Sequence, residues 1–309
     1  MCNKPWVIMI VGPTAVGKTD LAIHLAKSVN GEIISADSRL FYKGMDIGTA
    51  KPTSEQQKEM PHFLVDVAEA NEVWSLSMFQ SECQRLIEDI HSRGKLPMLV
   101  GGTGQYFRAL VEGWEIPPQE PDHSLRDVLE KVGQEIGPVA LFQKLQLLDP
   151  EAAERIDPQN LRRTVRALEV ILMTGEKFSE QRRKGAPLYR FWVIGLTRPR
   201  AELYQRIDER IEKMFADGLV EETKKLLDSG IGSENPNMSA IGYREVAQYI
   251  RGEISLGEAK MLMKRKTREF VRRQANWFKL DDPNIHWYTM QPGIEEQIIR
   301  DLRIALFEE

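Results

Sequence analysis

The sequence predicts an α/β fold in which a parallel sheet is interrupted by an inserted all-helical domain. Val7–Val11 is an apolar run typical of a buried parallel strand, and a glycine-rich turn separates it from a helical pattern at Asp20–Val29. A second strand pattern at Tyr189–Leu196 follows a long stretch of helical patterns that contains no strong strand. A sheet protein with helices inserted between two of its strands explains both observations.

A change of composition sets the predicted domain boundary. Residues 114–122 are rich in proline and acidic residues, whereas the chain on both sides has regular periodicity. We therefore predict a discontinuous core at 1–114 and 188–309, with basic helices at its C-terminal end, and a helical insertion at 115–187.

The turn after the first strand carries the most direct chemical signal. It matches G-x-x-x-x-G-K-[ST] in full, in the strand, loop and helix order that a phosphate-binding P-loop requires. The loop N–H groups, the helix N-terminus and the lysine would hold a phosphate, and the threonine hydroxyl could ligate Mg²⁺. The matching residues are Gly12, Pro13, Thr14, Ala15, Val16, Gly17, Lys18 and Thr19. The sequence thus predicts a P-loop NTPase-like core that binds a di- or triphosphate.

Two further polar turns follow predicted strands. Glu32–Ser35 leads into Asp37, and Lys95–Val100 leads into the turn Gly101–Gly104, which contains Thr103. Chemistry in parallel sheets collects at the carboxyl ends of the strands, so we expect Asp37 near the phosphate loop. Asp37 could act as a general base, or it could orient Mg²⁺ or cap a helix; the glycine turn by itself could be only a tight corner.

Composition and charge narrow the class of protein. Two cysteines and five histidines give neither a disulfide framework nor zinc spacing, and no apolar run has the length of a membrane span. The net charge is −4, yet Lys260–Lys279 contains Glu269 as its only acid. Local basic clusters rather than the total charge decide binding to a polyanion. We expect a cytoplasmic protein without a cleavable signal, without membrane contact, and acting as a monomer.

Several segments together resemble one known family, the bacterial tRNA dimethylallyltransferases, also called isopentenyl-diphosphate:tRNA transferases. The resemblance runs in order from the first strand to about residue 280, and Met45–Pro52 is its most specific part. The similar segments are GPTAVGKT, DSRLFYKGMDIGTAKP, GGTGQYFRAL, RRTVRALEV, IGYRE and REFVRRQANWF. It implies transfer of a dimethylallyl group from dimethylallyl diphosphate to N6 of the adenosine 3′ to the anticodon of tRNA.

The resemblance also implies roles for individual residues. The phosphate loop would hold the diphosphate, with Thr19 on Mg²⁺. Asp37 would be the catalytic base, and Thr103, the second residue expected at the catalytic site, would contact the target base or its channel. Arg206 or Arg210 would face the diphosphate, and we favour Arg210. The residues expected to contact tRNA are Asp37, Ser38, Arg39, Leu40, Thr103, Arg126, Arg162, Arg163, Thr164, Val165 and Arg166. Two positions depart from the family pattern: Leu40, where glutamine is usual, and Gln105, where we expect leucine.

Three alternatives remain open at the level of sequence. A P-loop small-molecule kinase that binds ATP shares the loop and Asp37, but it leaves Met45–Pro52 and the basic C-terminal helix unexplained. An adenylate isopentenyltransferase would perform the same chemistry on free AMP or ADP without needing a basic helix. The third is a non-catalytic, nucleotide-dependent tRNA-binding module.

Overall fold

The computed structural model describes residues 4–115, 123–181, 183–232 and 235–307. Most of the proline-rich segment at 114–122 lies outside the described residues. The chain divides into two compact units: residues 1–75, 79–111 and 188–309 form the first, and residues 76–78 and 112–187 form the second.

A parallel sheet organises the first unit. Its strands within the described residues are β1 (Trp6–Val11), β2 (Gly31–Ser35), β3 (His62–Phe63), β4 (Leu96–Val100), β7 (Arg190–Thr197) and β8 (Ile285–Thr289). These six strands lie in the order β3-β2-β4-β1-β7-β8, and every neighbouring pair is parallel. The central strand β1 is buried from Val7 to Val11, as its apolar run predicts. The predicted α/β fold with a P-loop NTPase-like parallel sheet is confirmed.

Helices surround this sheet. Those of the first unit are α1 (Lys18–Ser28), α2 (Ser54–Glu59), α3 (Leu76–Ser92, whose first three residues belong to the second unit), α4 (Gly104–Val111), α9 (Arg200–Ala216), α10 (Leu219–Asp228), α11 (Tyr243–Ile250), α12 (Leu256–Ala275) and α13 (Ile294–Phe307). The amphipathic stretch at Tyr204–Ser229 forms two helices, because Gly218 adopts a left-handed conformation between α9 and α10. Strand β3 ends at Phe63, because Leu64 and Asp66 have positive φ angles that do not fit an extended strand.

Helices dominate the second unit. They are α5 (His123–Ile136), α6 (Pro138–Leu148), α7 (Pro150–Ala153) and α8 (Leu161–Thr174), and the short strands β5 (Trp114–Glu115) and β6 (Arg183–Lys184) pair antiparallel. The apolar core of this unit includes Leu145, Val165 and Leu168. Asp149 is buried, where it caps α7 through the Ala152 N–H and accepts hydrogen bonds from Ser179.

Candidate active site

The phosphate loop connects β1 to α1 at the carboxyl edge of the sheet. Gly17 takes a left-handed conformation, with φ of 109°, and α1 begins at the next residue without a side-chain cap. The Lys18 ammonium donates to the carbonyl oxygens of Gly12 at 3.0 Å and Pro13 at 2.8 Å. Burial lowers the pKa of Lys18 to about 8, the Asp37 carboxylate raises it in part, and the Arg210 guanidinium lowers it further. The loop therefore places the Lys18 ammonium beside the N-terminus of α1, where backbone N–H groups and the helix dipole favour an anion.

A cleft of about 430 Å³ lies over this loop. Among its lining residues are the predicted Thr14, Ala15, Gly17, Lys18, Thr19, Asp37, Leu40, Arg206 and Arg210. The other three predicted loop residues serve the loop itself: Val16 is buried, and the Gly12 and Pro13 carbonyls hold Lys18. The cleft is polar around the loop, which suits an anionic ligand.

A second cleft of about 340 Å³ shares Thr14, Ala15, Asp37, Thr49 and Arg210 with the first. Its other walls are largely apolar, from Ile207, Ile211, Met214, Ile241, Met263 and Phe270, and Arg39 and Arg273 also line it. The residues common to both clefts include the predicted base and the arginine that we favour as a diphosphate ligand.

Asp37 follows β2 in a tight turn. Its carboxylate accepts a hydrogen bond from the Arg39 N–H at 3.1 Å, and its carbonyl accepts one from the Leu40 N–H at 3.1 Å. The Thr103 hydroxyl accepts from the Ser38 N–H at 3.3 Å, and the Thr103 N–H donates to the Ala36 carbonyl at 3.4 Å. The glycine turn that contains Thr103 thus supports the turn that contains Asp37.

The arginines of α9 have different roles at the loop. The Arg206 Nε donates to the Ala15 carbonyl at 2.9 Å, so this side chain binds the outside of the loop. Within the described part of the chain, Arg210 makes one long contact, of 3.5 Å, with the Thr49 carbonyl. Burial lowers the pKa of Arg210, against the effect of Asp37, and Arg206 lowers it further. Of the two, Arg210 has the guanidinium that is more available to an anion.

Arg198 is a contact of the loop that the sequence analysis missed. It follows β7 at the carboxyl edge of the sheet, and its Nε donates to the Val16 carbonyl at 2.9 Å. The same guanidinium pairs with Glu202. Its place directly after a strand was the signal that could have identified it.

The segment Met45–Pro52 forms one wall of the first cleft through Thr49, Ala50 and Pro52. Glu222 of α10 holds this segment: its carboxylate accepts the N–H groups of Asp46, Ile47 and Gly48 at 2.8 to 3.1 Å. Tyr243 donates to the same carboxylate at 2.6 Å, and its ring lies 2.6 Å from the position of a Cβ on Gly48. Only glycine fits there, so packing against Tyr243 explains the glycine of the DIG sequence.

The remaining predicted residues lie in the second unit. Arg126 and Arg166 both pair with the fully buried carboxylate of Glu169, at 2.9 and 3.0 Å. Arg162 and Arg163 are exposed. Thr164 and Val165 are buried in the same helix, so their side chains do not form part of the surface that was expected to contact tRNA.

The long helix α12 carries a basic cleft along its side facing α9. This cleft includes Lys260, Lys264, Arg265, Arg268 and Arg272. Glu212 of α9 pairs with Lys260 and Lys264, and Asp208 pairs with Arg268. Some of the basic side chains of α12 therefore form ion pairs that connect α12 to α9.

Thr19 is the side chain of the loop that suits Mg²⁺. Thr19 and Asp37 both line the first cleft, and their side chains offer hard oxygens as donors. Among the described residues no group of three or more His, Cys, Asp or Glu side chains could hold a metal. Mg²⁺ commonly uses one or two protein ligands and completes its shell with phosphate oxygens and water, so this donor set fits it.

The fold and the site define a P-loop α/β protein, and comparisons identify the family. The model of the family described as IPP transferase matches residues 40–281. The tRNA dimethylallyltransferase of Thermomicrobium roseum is 47% identical over 308 residues, which are 99% of this chain and 93% of that protein. The chain belongs to the IPP transferase family, and the predicted resemblance is confirmed.

Comparison with solved structures supports the same family. The tRNA isopentenylpyrophosphate transferase of Bacillus halodurans matches with a TM-score of 0.73 and 40% identity, over 99% of this chain and 98% of that one. A eukaryotic dimethylallyltransferase acting on tRNA matches with a TM-score of 0.81 and 28% identity, over 98% and 79%.

Proposed function

We propose that this protein transfers the dimethylallyl group of dimethylallyl diphosphate to N6 of the adenosine 3′ to the anticodon in tRNA and releases diphosphate. The observation that carries the proposal is one cleft that combines the phosphate loop with Asp37, in a chain similar over nearly its whole length to a tRNA dimethylallyltransferase. The names of the relatives favour tRNA modification over a small-molecule kinase or an adenylate isopentenyltransferase.

The diphosphate would lie against the phosphate loop. Lys18, the N-terminus of α1 and Arg210 surround this part of the cleft with positive charge. As the bond between C1 of the allyl group and the diphosphate oxygen breaks, the oxygen keeps the electron pair and its negative charge grows. Fixed positive groups stabilise that growing charge and so promote departure of the diphosphate. Thr19 would hold Mg²⁺, which would neutralise charge on the diphosphate.

Asp37 would accept the proton that leaves the adenine. The N6 lone pair is delocalised into the ring, so N6 becomes a better nucleophile when a carboxylate removes its proton. The bond from N6 to C1 forms as the bond from C1 to oxygen breaks, and the proton passes to Asp37. Because Asp37 lines both clefts, the acceptor base could enter from the second cleft while the diphosphate occupies the first.

The tRNA would contact several surfaces of the chain. We propose Ser38, Arg39, Leu40 and Thr103 near the target adenosine. Arg126, Arg162, Arg163 and Arg166 would contact the anticodon stem-loop, with the buried Glu169 fixing the orientation of two of the four guanidinium groups. Among the described residues no helix is long and apolar enough to cross a membrane. We propose a monomeric enzyme in the cytoplasm, where its tRNA substrate is found.

The test combines two labelled donors. Radiolabelled dimethylallyl diphosphate is offered with unmodified tRNA in Mg²⁺, without ATP, and γ-labelled ATP is offered separately with AMP and with small alcohols. We expect label in tRNA from the first donor and no transfer from the second. Transfer of label from ATP would instead establish a kinase, and dimethylallylation of AMP but not of tRNA would establish an adenylate isopentenyltransferase.

A control locates the reaction within the tRNA. An anticodon stem-loop with guanosine in place of the target adenosine should accept no label, because it has no N6 amino group. Equal labelling of the two stem-loops would contradict the assignment of the acceptor atom.

A further inference from the structure

Gln274 of α12 lies between the two glycine-rich turns of the site. Its side chain is buried, with 4% exposed. The Oε1 atom accepts the Thr14 N–H at 3.0 Å, and the Nε2 atom donates to the Gly102 carbonyl at 3.1 Å. Since a carbonyl only accepts and an N–H only donates, these two partners fix the orientation of the amide. One side chain thus joins the phosphate loop to the turn that supports Asp37.

The backbone of the second turn is shaped around this side chain. A Cβ built on Gly102 would lie 2.2 Å from the Gln274 Nε2, closer than any real contact. Gly102 does not have a positive φ, so its backbone conformation would admit alanine. A methyl group at this position would therefore have to displace the Gln274 amide, whereas the turn itself would tolerate it.

Gln274 also completes a set of contacts on the outside of the phosphate loop. Arg206 binds the Ala15 carbonyl, and Arg198 binds the Val16 carbonyl. Three consecutive residues of the loop are thus held by side chains more than 180 positions away. The Thr14 N–H already has a partner in Gln274.

We propose that Gln274 is a positioning residue: it sets the distance between the diphosphate-binding loop and the Asp37 turn, and through it the geometry of transfer. The inference rests on the proposed function. It assigns to the end of the basic helix a role in holding the small substrate, in addition to any contact of that helix with RNA. A side chain that only filled space would stabilise the fold without setting this distance.

The experiment measures three parameters for each folded variant: the KM for dimethylallyl diphosphate, the KM for tRNA, and the midpoint of thermal unfolding. Gln274→Met keeps the size of the side chain and removes both hydrogen bonds. We expect the KM for dimethylallyl diphosphate to rise about threefold to tenfold, the range for one or two neutral hydrogen bonds, with the KM for tRNA within about twofold. The matched control is Gln297→Met, the same change at an exposed position of α13, which should alter neither KM.

A double-mutant cycle tests the geometry directly. Gly102→Ala should raise the KM for dimethylallyl diphosphate in the wild-type chain, because its methyl group displaces Gln274. In a Gln274→Ala chain the clash is absent, so Gly102→Ala should add less than about twofold. Gly257→Ala, on the first turn of α12, controls for a glycine substitution in general, because the nearest atom to the added methyl group is the Ser255 Oγ at 4.0 Å.

The outcomes separate the two proposals. If the wild-type enzyme transfers no dimethylallyl group to tRNA, the proposed function fails. If it does, and Gln274→Met lowers only the unfolding midpoint while both KM values stay unchanged, the positioning role fails. Additive effects of Gly102→Ala and Gln274→Ala would likewise overturn it. Calorimetric titration of each variant with inorganic diphosphate gives a reading that does not depend on turnover, and Gln274→Met should weaken this binding too.

Discussion

Lys18 should make diphosphate binding depend on pH above neutrality. Burial lowers its pKa from 10.5 to about 8 in the free protein. A bound diphosphate beside the ammonium favours the charged form and raises the pKa again. Binding must then take up a proton wherever the free lysine is partly neutral. The expected uptake is about a tenth of a proton at pH 7, about half at pH 8 and about nine tenths at pH 9.

The sign of the effect on affinity follows from the same equilibrium. Only the protonated lysine attracts the diphosphate, and its fraction in the free protein falls as pH rises through 8. Between pH 7 and pH 9 that fraction drops about tenfold, so affinity should weaken by about the same factor.

Calorimetry measures both quantities. Dimethylallyl diphosphate is titrated without tRNA in buffers that differ in ionisation enthalpy, and the dependence of the heat on that enthalpy gives the number of protons taken up. Lys18→Arg is the control, because a guanidinium stays protonated throughout this range while ionisation of the ligand is unchanged. Equal proton uptake by the wild type and Lys18→Arg at pH 8 and pH 9 would refute the reasoning.

Three further predictions follow from other contacts. Asp37→Asn keeps an oxygen for the Arg39 N–H but loses the base, so kcat should fall about 10²- to 10⁴-fold with binding of dimethylallyl diphosphate retained; unchanged kcat would contradict the role of Asp37. Glu222→Ala leaves three N–H groups and the Tyr243 hydroxyl without their carboxylate, so the free energy of unfolding, measured by denaturant titration, should fall by about 2 kcal/mol or more. The control Glu221→Ala, at an exposed position, should change it by less than about 0.5 kcal/mol. Replacing Arg162 and Arg163 together by alanine should reduce the slope of log affinity for tRNA against log salt by about one to two, measured by filter binding; an unchanged slope would place the phosphate contacts elsewhere.

Sequence patterns predicted the strands of the sheet, including a short one at His62–Asp66 that overlaps β3, but they missed β8 at the other edge. Strands β1, β2 and β4 are mostly buried and β7 is buried at Ile194–Leu196, so their apolar runs stand out from the flanking turns. Strand β8 was not predicted, because its residues Ile285–Thr289 mix polar and aromatic side chains at a half-exposed edge. Edge strands need not be apolar on both faces, so periodicity identifies them poorly.

The residues of the candidate site likewise fall into those that the sequence predicted and those that it missed. Asp37 and the phosphate loop were found because each follows a strand and forms a short contiguous motif. Arg198, Glu222 and Gln274 were missed, since each meets its partner 174 to 260 positions away along the chain. Contacts between residues so far apart in the chain depend on how helices pack on the sheet, and short sequence patterns do not predict that packing.

The specificity of a motif and the role of its residues are separate matters in this chain. Met45–Pro52 was the most distinctive segment of the resemblance. Packing against Tyr243 accounts for its Gly48, and the Glu222 carboxylate holds the backbone of Asp46, Ile47 and Gly48. The glycine turn was a weak signal on its own, yet a methyl group on Gly102 would displace the amide of Gln274. The residue type at a position can therefore be determined by packing against a neighbouring side chain rather than by contact with substrate. In this protein that neighbour is often a helix of the C-terminal half. Replacing Gln274 of α12 should therefore affect the phosphate loop, and replacing Glu222 of α10 should affect the segment Met45–Pro52 that forms a wall of the first cleft.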